Sequence, residues 1–138
     1  MPNGIDLIIA DHQRVDALFT EFAATGEPTL VGRIVDELSM HDQAEHAALY
    51  PLAGRVLGDL DLIQRFAAAH SGVKQLIDRL TSLEGPPLVE AVADLADAVR
   101  LHVEDEEQNL LPALAGECSP AQLDDLGARI EHTKQRVG

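Results

Sequence analysis

Aromatic residues are scarce: the chain has no tryptophan, one tyrosine and three phenylalanines in 138 residues. The single cysteine, Cys118, excludes an internal disulfide and any cysteine-rich zinc or iron–sulfur site. Positive charge is also short. Ten Lys and Arg stand against 24 Asp and Glu, a formal net charge of −14. That balance argues against nucleic acid and anionic membranes as partners. No apolar run approaches the roughly 18–20 residues that a membrane-spanning helix needs. The start, Met1-Pro2-Asn3-Gly4, has no basic region ahead of an apolar one. No secretory signal is therefore expected, and the cytoplasm is the expected compartment.

What is present is alanine, leucine and valine in a chain that is 46% hydrophobic. This is enough to bury one core, and one domain over residues 1–138 is expected. Glycine and proline gather at four places: Thr25-Gly26-Glu27-Pro28, Gly58-Asp59, Gly85-Pro86-Pro87 and Gly116-Glu117-Cys118-Ser119-Pro120. Ser119 before Pro120 reads as an N-cap followed by proline at the first helical position. Five helical segments are left, at 4–24, 29–57, 60–83, 88–115 and 120–136. In the first four, inward residues recur every three or four positions, as in Ile5, Ile8, His12, Val15, Phe19 and Phe22. Alternating strands do not fit such spacings. Short connections between long helices favour antiparallel neighbours. The expected fold is all-α: an antiparallel up-down-up-down four-helix bundle over about 4–115, with an additional short C-terminal helix at about 120–136. The Leu123, Leu126 and Ile130 stripe of that last helix would cap the bundle.

Each of the four apolar seams is interrupted by a histidine: His12, His41, His70 and His102. Two seams carry a glutamate one turn later, Glu45 and Glu106, on the same helix face. At about 1.5 Å rise per residue, all four histidines can meet at one level of such a bundle. A buried carboxylate costs several kcal/mol unless it is paired or bound to a metal. No Lys or Arg lies on these stripes to pair with either glutamate. Imidazole with carboxylate suits iron, manganese or zinc. The arrangement also repeats. His12 with Val15 and Leu18 matches His70 with Val73 and Leu76. His41, Glu45 and Leu49-Tyr50-Pro51 match His102, Glu106 and Leu110-Leu111-Pro112. Two helical hairpins related by a pseudo-twofold would bring the two glutamates to a shared centre.

The pattern His12, His41-xxx-Glu45, His70, His102-xxx-Glu106 resembles the hemerythrin-like, or HHE cation-binding, domain family. The resemblance covers about residues 5–115 and implies a hemerythrin-like domain spanning the chain. It implies two Fe ions with an oxo or hydroxo bridge, held by the four histidines and two bridging glutamates. Oxygen-carrying hemerythrins have a second histidine where this chain has Lys74, and an aspartate where it has Glu106. The chain looks more like bacterial, notably actinobacterial, members. Two octahedral irons need about twelve positions, and the ligands with an oxygen bridge supply about ten. Asp42 reads either as a further ligand or as a solvated helix residue. His46, Lys74 and Tyr50 are candidates for supporting roles, each with a plain alternative: a surface histidine, a solvated lysine, a core tyrosine. Glu104, Asp105 and Glu107 read as a solvated acidic face, and His132 as exposed.

The implied partners are small oxidants, namely H2O2, O2 and NO. The first expected function is catalase-like decomposition of hydrogen peroxide, an activity associated with the resembled group. The alternative is a module that binds O2 or NO reversibly, or senses iron or oxygen, without turnover. In a third reading the metal only staples the bundle.

Overall fold

The computed structural model describes residues 3–137. It contains five helices and, among the described residues, no strands. Helix α1 spans Gly4–Thr25. Helix α2 covers 29–57, α3 is Leu60–Leu80, α4 covers 86–117, and α5 is Pro120–Val137.

Local chemistry sets the ends. Asn3 caps α1 reciprocally: its side chain accepts from the Asp6 amide at 3.1 Å, and the Asp6 carboxylate accepts from the Asn3 amide at 3.3 Å. Gly26 closes α1 at φ 64° and Gly58 closes α2 at φ 65°, the left-handed region that costs glycine little. Asp59 caps α3 through the Leu62 amide at 3.0 Å. The third helix ends at Leu80, short of the expected residue 83. There the hydroxyls of Thr81 and Ser82 donate back to the Asp78 and Arg79 carbonyls, an alternative to continuing the helix. The fourth begins at Pro86, two residues early, because proline is tolerated in a first turn. Ser119 caps α5 through the Gln122 amide at 3.2 Å.

One feature of α2 and α4 has no counterpart in the expected plain helices. Each contains a π turn, Glu45–Leu49 and Glu106–Leu110, beginning at the seam glutamate. The Tyr50 amide donates to the Glu45 carbonyl and the Leu111 amide to the Glu106 carbonyl, five residues back. The cause sits one residue further on, at Pro51 and Pro112. Proline has no N–H, and its ring collides with the carbonyl four residues before it. One extra residue in the turn relieves that collision and lets each helix continue.

The core is layered. One apolar cluster gathers Ile8, Leu49, Phe66, Leu110, Leu114, Leu126 and Ile130. The other gathers Val15, Phe19, Phe22, Ile34, Leu38, Leu80, Leu95 and Val99. Along every one of the first four helices the seam histidine falls between the two layers. Each fully buried apolar side chain contributes about 1.5–3 kcal/mol, so two dry layers clamp a polar middle. Helix α5 lies against α1 and α2, including the first π turn. It inserts Leu126 so tightly that a Cβ on Gly4 would meet its Cγ at 2.3 Å.

Candidate metal centre

All six seam residues converge between the layers. Glu45 and Glu106 are 0% exposed. His12 Nε2 lies 3.3 Å from Glu106 Oε1, His41 Nε2 3.2 Å from Glu45 Oε2, and His102 Nε2 3.3 Å from Glu106 Oε2. His70 Nε2 lies 2.8 Å from Glu45 Oε1. The first three approaches are close enough for ion pairs but have the wrong angles for hydrogen bonds. His12 Nε2, His41 Nε2, Glu45 Oε2, His102 Nε2 and Glu106 Oε1 are consequently buried without a hydrogen-bond partner. Buried polar atoms are normally satisfied. A ring of imidazole nitrogens and carboxylate oxygens that face one another without bonding suits a shared cation.

The ligand atoms fall into two overlapping groups, each within 4.8 Å: His12, His41, Glu45, Glu106 and Glu45, His70, His102, Glu106. Both glutamates belong to both groups. That is the geometry two adjacent ions would need if the carboxylates bridged them, and imidazole with carboxylate is a donor set that suits iron.

The outer nitrogens explain how the rings are held. His41 Nδ1 is 2.9 Å from Asp11 Oδ2, and Asp11 is itself buried. Asp11 also accepts from Arg14 at 2.9 Å and from Lys134 of α5. His12 Nδ1 is 2.6 Å from Glu107 Oε2. His70 Nδ1 contacts Asp42. Such carboxylates fix ring orientation and raise the basicity of the inner nitrogen. His102 Nδ1 alone is buried without a partner.

Electrostatics follow the same contacts. Burial would lower the His41 pKa, but the Glu45 charge and the Asp11 hydrogen bond push it up to about 10. Burial would lower that of His102 too; the Glu106 and Glu45 carboxylates close to its ring bring it to about 9. His70 is raised against its burial, chiefly by Asp42 and then Glu45. Burial would raise Asp11, yet His41 and Lys134 hold it down to about 2. Glu45 is lowered despite complete burial, first by the His41 charge. The pocket thus demands positive charge beside its two glutamates.

The remaining candidates divide. Tyr50 is central rather than peripheral: its hydroxyl lies 2.7 Å from His70 Nε2 and 3.3 Å from both Glu45 Oε1 and Glu106 Oε2. Burial and the two carboxylates raise its pKa, so the phenol keeps its proton. Asp42 contacts the outer nitrogen of His70 and belongs to neither of the two inner ligand groups. His46 is exposed and stands edge-on to both His70 and Tyr50. Lys74 is exposed and lines a cavity of about 420 Å³ that reaches His12, His41, His70 and His102 past Val15, Leu38, Val73 and Val99. His132 is exposed.

The reading of Glu104, Asp105 and Glu107 as a solvated face is corrected in two places. Glu107 holds His12, and Asp105 forms a two-point ion pair with Arg65 at 2.9 and 3.1 Å. Asp11 was missed altogether. Its signal was its place directly before the seam histidine, which puts it at the edge of the buried stripe.

A helical domain with a buried His–Glu cluster between two apolar layers is a cation-binding class of fold. The family model of the hemerythrin HHE cation-binding domain matches residues 3–114, and the chain belongs to that family. A crystal structure of an HHE cation-binding domain-containing protein from Mycobacterium kansasii superposes with TM-score 0.86 at 19% identity, covering 99% of this chain and 88% of that one. This shows the shared fold. An uncharacterized hemerythrin-like protein of Schizosaccharomyces pombe is 22% identical over 140 residues, spanning 96% of this chain and 69% of that protein. A DNA nickase of Nostoc is 29% identical over 138 residues, but the chain spans only 39% of that protein's length. No helix among the described residues is long and apolar enough to cross a membrane.

Proposed function

We propose that the protein is a cytoplasmic non-haem di-iron protein that decomposes hydrogen peroxide. His12, His41, Glu45, His70, His102 and Glu106 would hold the two ions inside an up-down-up-down four-helix bundle forming one domain. The observation that carries this reading is the pair of ligand groups sharing both glutamates. A pair of irons supplies reversible two-electron chemistry. The chain supplies the rest. Asp11, Glu107 and Asp42 orient three of the rings. Tyr50 keeps a proton on its hydroxyl beside the two carboxylates and can donate it there. The apolar layers exclude bulk water, and the cavity beside Lys74 admits a small oxidant.

DNA nicking, the activity in the name of the Nostoc protein, is not part of this proposal. The matching region is less than half of that protein, and a net charge of −14 opposes DNA binding. The apolar wall of Val15, Leu38, Val73 and Val99 favours a second reading, reversible O2 or NO binding or sensing without turnover, since such gases partition into dry cavities.

The test uses protein from iron-replete growth. Elemental analysis is expected to give about two irons per chain, because the donor set exceeds one octahedral ion. Added peroxide should release O2 above a free-iron control. No release, with a stable and reversible spectrum of the reduced protein in air, would move the assignment to the binding module. One metal per chain would sink the two-iron reading.

A further inference from the structure

We propose that Asp42 and His46, with His70 Nδ1, form an outer site that captures a divalent transition-metal cation and hands it to the centre. The inference rests on the metal-centre reading above. His46 Nε2 lies 3.2 Å from Asp42 Oδ1, the same oxygen that contacts His70 Nδ1. The three residues' ligand atoms lie within 4.8 Å of one another. The Asp42 and His46 side chains face solvent where the six inner ones do not. Asp42 and His46 are 40% and 45% exposed, whereas the six inner side chains are at most 9% exposed. An incoming ion therefore meets Asp42 and His46 first, with His70 Nδ1 behind them.

The internal repeat separates the outer trio from simple ring support. Glu107 holds the outer nitrogen of His12 by itself. Its counterpart in the first hairpin is His46, and the counterpart of Asp42 is Val103. The His70 side thus has two ligating side chains where one suffices to orient a ring. Imidazole and carboxylate together suit Fe(II), Co(II) or Zn(II) rather than Mg(II) or Ca(II).

The site is built for passage. His70 can hold ions on both nitrogens at once only by losing its last ring proton, so outer and inner occupancy through this ring compete. Arg136 lines the neighbouring groove with His46, and its positive charge keeps the outer affinity below that of the centre. Asp42 and His70 also line the cavity that reaches His12, His41 and His102, which gives the ion a continuous route of donors.

The experiment follows anaerobic Co(II) uptake by metal-free protein through its visible bands. In His46→Ala the initial rate should fall about tenfold, within the range by which charged, focused sites raise on-rates, while the final occupancy is unchanged. His46→Glu installs the residue of the repeat-equivalent position and should restore the rate. Equal rates in wild type and His46→Ala would overturn the proposal. So would a slow rate that His46→Glu fails to rescue, since that points to ring packing. A second measurement separates this site from the centre. In His102→Ala, Zn(II) should still shift the His46 imidazole resonance in proton NMR. No shift overturns the outer site whatever the centre holds. A shift there, with no uptake by the wild-type centre, overturns the central reading alone.

Discussion

The two halves of the repeat, α1 with α2 and α3 with α4, carry the same ligand pattern but support it differently. In α1 and α2, Asp11 anchors His41, and α5 covers the outside through Lys134, Leu126 and Ile130. In α3 and α4 the residue corresponding to Asp11 is Ala69, and His102 Nδ1 is left unpartnered. Helix α1 buries eight of its residues, including Ile8, Val15, Phe19 and Phe22, whereas α3 buries only Phe66 and Leu80. The cavity opens along the loosely packed side, past Val73 and Lys74. Tyr50 adds a hydroxyl whose repeat counterpart, Leu111, has none. A duplicated ligand set can therefore serve two ends at once: one half closely packed, the other kept accessible.

The largest effects should ignore this asymmetry. His41→Ala and His102→Ala should each empty the centre, while His132→Ala keeps its iron by elemental analysis. Each variant also removes an imidazole that faces Glu45 or Glu106, which costs about 3–5 kcal/mol of folding stability for a broken buried charge pair. Full iron in either seam variant would count against the ligand assignment.

Next in size is the covering helix. Leu126→Ala should lower stability by about 2–5 kcal/mol, the usual cost of deleting a buried leucine. The loss should concentrate in α1 and α2, read as faster amide exchange in α1 than in α3. A uniform loss would break the comparison.

Asp11→Ala should weaken metal binding about 10–100-fold, the typical effect of removing a ligand's outer partner. Chelator competition would measure it. An unchanged affinity would mean that His41 is held by packing alone.

Proton linkage gives a smaller, graded effect in metal-free protein. His41 and His102 have folded pKa values of about 10 and about 9 against an ordinary 6.5. Their contribution is complete below 6.5 and is lost as pH rises through 9 to 10. Asp11, at about 2 against 3.8, contributes above 3.8 and loses its contribution as pH falls toward 2. Denaturant unfolding should show a plateau between these limits, with slopes of about 1.4 kcal/mol per pH unit for each proton linked. Metal-loaded protein should lose its ion in acid, because protons compete for the same nitrogens. Rising stability of the metal-free form above pH 8 would contradict the ion pairing.

The smallest test rebuilds the symmetry. Ala69→Asp places a carboxylate where the repeat predicts a partner for His102 Nδ1. Stability should rise by about 1 kcal/mol, the net worth of one hydrogen bond, with a slower metal off-rate. A destabilised protein would show that α3 and α4 lack room for the support that α1 and α2 use.

The helices and the inner set were readable in order along the chain, because both rest on local spacing. Apolar residues every three or four positions define a buried stripe, and a histidine four residues before a glutamate must share its face. Even the π turns had a local cause in Pro51 and Pro112, visible as a repeat though not recognised as an extra residue per turn. The outer partners were not readable. Asp11 meets His41 across 30 residues, Glu107 meets His12 across 95, and Lys134 meets Asp11 across 123. Those contacts depend on how one helix is rotated against another, which packing of the apolar layers decides. Local spacing thus defines five helices and places six ligating side chains on their inward faces. The packing of helix on helix settles which carboxylate holds which ring, that Tyr50 stands between the two glutamates, and which side of the domain stays open.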